Sequence, residues 1–126
     1  MNLKSLVPKH KFDIARANKL KQYSYEEVKP IVPQLLTCLQ DGHWDISEPV
    51  AMFLQTLTPH ITEEIIKILQ TNDEQWKYQC IRWFGFDTQD IILQNEIKRI
   101  ARHPTKNEVE DLVQEIAEEA MQNWTK

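Results

Sequence analysis

The densest group of chemically capable side chains lies in residues 41–48, which hold three carboxylates and one imidazole. Such a set could hold a cation, but a calcium loop starting at Asp41 needs a glycine at its sixth position and a glutamate at its twelfth. Those positions are Ile46 and Met52. One histidine without a nearby cysteine is not a zinc pattern either. We therefore predict no metal here and interpret the segment as a polar turn that packs against the next helical repeat.

Sequence signatures of catalysis are missing. The sequence has no GxSxG, no HExxH and no cysteine with a nearby histidine, and two isolated glycines cannot form a phosphate loop. Cys38 and Cys80 lie inside apolar stretches, which is typical of buried reduced thiols. We predict a protein that is not an enzyme and that has no catalytic residues and no cofactor.

Four residues are the candidates for contact with a partner protein, because tryptophan and arginine dominate binding hot spots. They are Trp44, Trp76, Arg82 and Trp83. Trp44 and Trp76 occupy similar positions between predicted helices, so each could instead close the end of a hairpin core. Trp83 precedes Phe84, and both cannot face inward, so one of them is expected to line a concave surface.

Basic residues are the candidates for the alternative function, which is binding of nucleic acid. The nucleic-acid candidates are Lys9, Lys11, Lys98, Arg99 and Arg102. Phosphate binding needs several such residues to converge on one track. These lie at opposite ends of a chain of net charge −4, so recognition of damaged DNA, in the manner of alkylpurine glycosylases, requires the two groups to meet on one face. A glycosidic-bond-cleaving enzyme on the same fold is a third hypothesis.

The elements that must position these residues follow from a pattern that occurs twice, thirty positions apart, between Pro30 and Phe86. Apolar residues recur at matched positions: Ile31 and Ile61, Leu35 and Ile65, Leu39 and Leu69, Val50 and Cys80, Leu54 and Phe84. A fixed period of this size with apolar residues at helical spacing is typical of stacked helical hairpins. We predict an all-α, HEAT-like solenoid of about six helices.

Composition agrees with one helical domain: 126 residues, 41% of them hydrophobic, with only two glycines. Residues 1–30 carry a net charge of +4, whereas residues 105–126 carry −4. No apolar run is long enough for a signal peptide or a membrane span. We expect a soluble, cytoplasmic protein.

Local signals predict where helices begin and end. Ser24 and Glu27 have the spacing of a capping box, and Pro30 and Pro33 predict a break near Lys29. Asp13 is a plausible N-cap. Two long helices are expected near the C-terminus, over about 88–102 and 106–124. The last has a predicted buried face of Val109, Leu112, Val113, Ile116, Ala117 and Ala120.

Three motifs carry a family resemblance: residues 7–13 (VPKHKFD), residues 24–31 (SYEEVKPI), and residues 39–51 with Leu39-Gln-Asp41, Trp44 and Pro49-Val-Ala51. Together they resemble the small bacterial proteins of domain-of-unknown-function family 5071, over nearly the whole chain. The resemblance implies a stand-alone bacterial protein with a HEAT-like hairpin fold, no established activity and no assigned catalytic residues.

We therefore predict a single domain, 1–126, with an N-terminal lead and cap (1–23), two hairpins (24–57 and 58–86) and a diverged third hairpin (87–126). The predicted function is non-enzymatic binding of another protein through the helical surface, in one version as an immunity or antitoxin-like protein. The identity of that partner and the oligomeric state do not follow from the sequence.

Overall fold

The computed structural model describes residues 3–125, and the regular secondary structure in that range is helical throughout. The all-α prediction is confirmed. Met1, Asn2 and Lys126, which the predicted domain includes, lie outside the described residues. The α-helices in chain order are α1 (Ile14–Lys19), α2 (Tyr25–Val28), α3 (Val32–Thr37), α4 (Ser47–Gln55), α5 (Thr62–Leu69), α6 (Glu74–Phe84), α7 (Ile91–Arg102), α8 (Lys106–Glu110) and α9 (Val113–Trp124).

The chain divides into two compact units, Met1–Ile61 and Thr62–Lys126. The first unit contains α1–α4, the elements predicted as the lead and hairpin one. The second contains α5–α9, the elements predicted as hairpins two and three. The single domain with those hairpin boundaries stays a prediction. None of the described helices is long and apolar enough to cross a membrane.

In the first unit, the predicted capping box is confirmed. Ser24 Oγ accepts a hydrogen bond from the Glu27 backbone N–H, and Glu27 Oε1 accepts one from the Ser24 N–H. The predicted break is also confirmed, since α2 ends at Val28 and a 3₁₀ turn over Lys29–Ile31 precedes α3. Proline removes an amide donor and forces this interruption.

The N-cap position predicted at Asp13 is confirmed, but its side chain does not cap the helix. It accepts a hydrogen bond from the Lys9 backbone N–H at 2.9 Å and pairs with Arg16 at 3.1 Å. The carboxylate therefore organises the lead segment before the helix, and the hydrogen bond from Lys9 lowers the pKa of Asp13.

Residues 41–48 form a turn held by backbone and hydroxyl contacts. Ser47 is buried, and its Oγ lies 2.8 Å from the Cys38 carbonyl oxygen and 2.7 Å from that of Asp41. The Ile46 N–H donates to the Lys11 carbonyl oxygen at 3.2 Å. The turn therefore packs on the N-terminal lead of its own unit.

In the second unit, side-chain caps fix where helices begin. Asp73 Oδ1 accepts from the Trp76 N–H, and α6 begins at Glu74. Asp90 Oδ1 accepts from the N–H groups of Ile92 and Leu93, so α7 begins at Ile91, three residues later than predicted. The aspartate defines this start, because its carboxylate satisfies amides that have no partner inside the helix.

The predicted helix over 106–124 is wrong in one respect, because it is interrupted at Leu112. Leu112 has φ 67° and ψ 14°, a left-handed conformation, and separates α8 from α9. Four predicted core residues are buried on α9: Val113, Ile116, Ala117 and Ala120. Val109 and Leu112, predicted in the same stripe, are 48% and 54% exposed. The left-handed residue redirects the chain, so residues before it no longer share the face of α9.

The two copies of the sequence pattern bury most of the same positions. They differ at two matched pairs, because Leu36 and Phe53 are buried whereas Ile66 and Trp83 are half-buried. Each of five other matched pairs defined by the thirty-residue repeat is buried in both copies. These pairs are Ile31 and Ile61, Leu35 and Ile65, Leu39 and Leu69, Val50 and Cys80, and Leu54 and Phe84. The repeat therefore specifies most of the side chains that enter the core of each copy.

Candidate interaction surface beside α6 and α8

A buried network of charges joins three helices of the second unit. Lys77 of α6 is 2% exposed, and its Nζ lies 2.9 Å from Glu74 Oε1 and 2.8 Å from Glu108 Oε2 of α8. The ammonium also donates to the Thr71 carbonyl oxygen at 3.0 Å. Two carboxylate oxygens and one carbonyl oxygen therefore surround the buried cation.

Glu108 is the centre of this network and is 0% exposed. Arg99 of α7 binds both of its oxygens, at 2.6 Å to Oε1 and 3.1 Å to Oε2. The Thr105 backbone N–H donates to Oε1 at 2.8 Å and completes the capping box that begins α8. Glu108 therefore combines a helix cap with ion pairs to two other helices.

The protonation state of Glu108 follows from these contacts. Burial by itself raises the pKa of a carboxyl group, but hydrogen bonds from Arg99, Lys77 and Thr105 outweigh it and lower the pKa of Glu108 to about 2. The carboxylate stays charged at neutral pH with both oxygens occupied. Its geometry suits holding α6, α7 and α8 together.

Above this network lies an open depression of about 980 Å³ on α6 and α8. Its lining comprises Thr71, Asn72, Asp73, Glu74, Gln75, Tyr78, Asn107 and Asp111. The charged lining residues are all acidic, and Tyr78 is the aromatic one. Glu74 belongs both to the depression and to the buried network, so the ion pairs fix one wall of the surface.

Two exposed apolar residues lie close in sequence to the lining of this depression. Leu112 directly follows the lining residue Asp111, and Val109 lies on α8 two residues before it. Glu110 and Asp111 are exposed beside them, and the exposed Lys106 lies 3.8 Å from Glu110. The result is an acidic and apolar surface, which we call the α6–α8 surface, formed by the lining residues together with Val109 and Leu112.

The tryptophans proposed for partner binding are each half-buried. Trp44 belongs to the first unit, whereas Trp76 and Trp83 lie at the two ends of α6. The exposed guanidinium of Arg82 lies 5.1 Å from the centre of the Trp83 ring, in a cation–π arrangement. Arg82 and Trp83 therefore form a local pair on α6, and partner binding by these four residues stays a prediction.

The residues proposed for nucleic-acid binding lie in both units. Lys9 and Lys11 are exposed in the first unit. In the second unit, Lys98 is half-buried and Arg102 is exposed on α7, while Arg99 is bound by Glu108 and, at 2.8 Å, by Glu96. Burial opposes the charge of Arg99, but these two carboxylates outweigh it and raise the pKa of the guanidinium. A phosphate at Arg99 would have to compete with both.

Sequence reasoning missed the components of the α6–α8 surface. The capping role of Glu108 can be predicted from the sequence, because Thr105 and Glu108 have capping-box spacing. The burial of Lys77 has no sequence signal, because no local pattern distinguishes a buried lysine from a solvated one. The helical period predicts Leu112 on the buried face, because it describes spacing along one uninterrupted helix. Within residues 3–125, no three His, Cys, Asp or Glu side chains are placed to share a metal ion.

A family model described as a domain of unknown function (DUF5071) matches residues 6–121. That range includes α1–α8 and most of α9. The chain matches none of the curated proteins with which it was compared.

Proposed function

The chain belongs to the DUF5071 family, and we propose that it is a protein-interaction module without catalytic activity. One observation carries the proposal: the exposed Leu112 is held in a left-handed conformation directly after Asp111, which lines an acidic depression. The binding surface proposed is the α6–α8 surface.

The conformation of Leu112 is costly to the isolated protein. A left-handed backbone costs an L-amino acid about 1–2 kcal/mol relative to the right-handed form, and glycine or asparagine adopts it more readily. With 54% of its surface exposed, the leucine side chain recovers only part of this cost by burial. Strained backbone of this kind is concentrated at ligand clamps and binding sites.

A partner protein would account for a leucine at this position. Burial of the exposed half of the leucine side chain is favourable by about 1–1.5 kcal/mol, half the value for a fully exposed leucine, and this offsets most of the backbone cost. Val109, 48% exposed on the neighbouring helix, extends the apolar contact. An apolar centre surrounded by polar residues is the usual arrangement of a protein–protein interface.

The buried network supports the proposal by keeping this surface rigid. Glu108 joins α6 to α8 through Lys77 and to α7 through Arg99. A surface already held in its binding geometry loses less conformational entropy when a partner docks. A network of this kind is therefore consistent with a preformed binding surface.

Finer features of the proposal come from the sequence. We propose HEAT-like stacking, supported by the matched burial of the two pattern copies, and a bacterial, cytoplasmic protein. An immunity or antitoxin-like role is the specific version, by analogy with other small, acidic helical proteins. Nucleic-acid binding remains the alternative; its mark would be a steep loss of affinity with salt.

Affinity capture tests the proposal. The tagged protein is expressed at native level in its own cells, and the co-eluting proteins are identified by mass spectrometry. We expect one stoichiometric partner that is retained by the wild type and lost with Leu112→Asp. Aspartate tolerates the left-handed conformation, so this substitution leaves the fold intact, which circular dichroism verifies.

Ile92→Asp is the matched control. Ile92 is 64% exposed in the first turn of α7, so its replacement makes the same change of charge and apolarity away from the α6–α8 surface. It should leave the partner bound. Recovery of no stoichiometric partner, or equal loss with both variants, would contradict the proposal.

A further inference from the structure

We propose that the α6–α8 surface binds an arginine side chain of the partner protein, with an apolar residue beside that arginine covering Leu112. This inference rests on the proposed function and names the chemistry of the partner. It assigns the guanidinium to the depression lined by Asp73, Tyr78 and Asp111.

Charge is the first argument. The charged lining residues, Asp73, Glu74 and Asp111, are all acidic. The nearby cations each face carboxylates: Lys77 and Arg99 are bound by Glu108 and by further carboxylates, and Lys106 Nζ lies 3.8 Å from Glu110 Oε1. The field in the depression therefore favours a cation from outside, and a neutral occupant would desolvate carboxylates without compensating them.

The second argument is the number of hydrogen-bond acceptors in and around the depression. Glu74 is buried in the wall of the depression, and its Oε1 lies 2.9 Å from Lys77 Nζ. This oxygen is ion-paired with Lys77 but accepts no hydrogen bond from the described residues. The side-chain amides of Asn72 and Asn107 add further carbonyl acceptors around the opening. A guanidinium brings five N–H donors and no acceptor, which suits a site rich in oxygen.

Tyr78 selects arginine over lysine. It is half-buried and is the aromatic residue of the lining. A planar guanidinium can stack on an aromatic ring while donating to carboxylates in its own plane, whereas the compact ammonium of lysine is more strongly hydrated. The partner residue proposed is therefore arginine.

The exposed Leu112 determines which kind of partner residue lies next to that arginine. It follows Asp111 in the chain and exposes 54% of its surface. A partner segment with arginine in the depression would place a neighbouring side chain over Leu112 and Val109. An apolar neighbour buries that surface, so the recognised segment combines one arginine with at least one aliphatic residue.

Nuclear magnetic resonance of the full-length ¹⁵N-labelled protein tests this directly. The probe is the blocked pentapeptide Leu-Ser-Arg-Ser-Leu, and the control is the same peptide with citrulline, which has the shape of arginine without its charge. We expect the arginine peptide to shift the backbone amide signals of residues 71–78 and 107–112, with saturation in the millimolar range. The citrulline peptide should bind at least tenfold more weakly.

Matched variants locate the charge. Asp111→Asn should weaken binding of the arginine peptide at least threefold. Glu119→Gln makes the same change of charge at an exposed position of α9 outside the lining and should leave binding unchanged. Raising NaCl from 20 to 300 mM should weaken binding of the arginine peptide several-fold, because the attraction is screened.

Three results would overturn the inference: no shifts, equal binding of the citrulline peptide, or equal binding by Asp111→Asn. Concentration-dependent shifts of the same amides without peptide would also overturn it, since the occupant would then be a second copy of the chain. The proposed function fails separately. If a cellular partner is lost with Leu112→Asp while the arginine peptide fails, the interaction module stands and the arginine is wrong.

Discussion

Lys77 Nζ lies 2.8 Å from Glu108 Oε2, and the two residues are 2% and 0% exposed. A buried ion pair contributes little net stability compared with apolar residues of the same shape, but breaking it leaves a charge uncompensated. Because Arg99 binds the same carboxylate, Glu108 is the residue on which the arrangement of α6, α7 and α8 depends.

The first prediction removes that charge. Glu108→Gln keeps the size of the side chain but leaves Lys77 and Arg99 without their shared carboxylate, so we expect the free energy of unfolding to fall by about 3–5 kcal/mol. Urea unfolding followed by circular dichroism measures it. Glu119→Gln, on the exposed side of α9, should change stability by less than about 0.5 kcal/mol. A loss below 1 kcal/mol for Glu108→Gln would contradict the role given to the network.

The second prediction concerns pH. The pKa of Glu108 is lowered from 4.5 to about 2 in the folded protein, so its contribution is complete above about pH 5 and is lost as the pH falls towards 2. The shift corresponds to about 3 kcal/mol. The difference in unfolding free energy between wild type and Glu108→Gln should therefore narrow by about that amount between pH 6 and pH 2. A difference independent of pH would contradict it.

The third prediction concerns the backbone at Leu112. Leu112→Gly removes the left-handed strain and loses a mostly exposed side chain, so we expect the unfolding free energy to rise by about 0.5–1 kcal/mol. Leu112→Val keeps an apolar residue but adds β-branching, and it should lower stability. Thermal and urea unfolding compare the two. If both substitutions destabilise the protein equally, the backbone conformation at residue 112 does not determine their effect on stability.

The fourth prediction concerns Gly85, at the end of α6. A Cβ atom there would lie 2.8 Å from the Ile81 carbonyl oxygen and 2.9 Å from Ile97 Cδ1. Gly85→Ala should therefore cost about 1–3 kcal/mol of stability. Ile97→Val removes the Cδ1 atom, so the cost of Gly85→Ala should be smaller in that background. Strict additivity of the two substitutions would show that the contact with Ile97 does not matter.

The fifth prediction concerns the cysteines. Burial raises the pKa of the Cys38 thiol to about 11 and also raises that of Cys80. At pH 8 only about one Cys38 thiol in a thousand is ionised, and the thiolate is the reactive form. Neither residue should react with an aromatic disulfide reagent in the folded protein, whereas both should react in guanidinium chloride. Rapid modification of the native protein would contradict their buried placement.

Much of the fold could be predicted because its signals are local. The capping box at Ser24, the break near Pro30 and the buried stripe from Val113 to Ala120 depend on residues within a few positions of one another. The thirty-residue pattern predicted most of the buried positions in both copies, but not that Ile66 and Trp83 are half-buried where Leu36 and Phe53 are buried. The start of α7 was placed three residues early because the expected helix was extended to Thr88, before the Asp90 cap.

The sequence by itself determined that the chain is helical, where most helices begin and which apolar residues form the core, because periodicity and capping act along the chain. Only the tertiary structure decided that Lys77 is buried against Glu108 and that Leu112 is exposed. Helical spacing describes which residues share a face but not what that face meets. The packing of separate helices against one another decides whether a charged residue is buried in an ion pair and whether an apolar residue stays exposed.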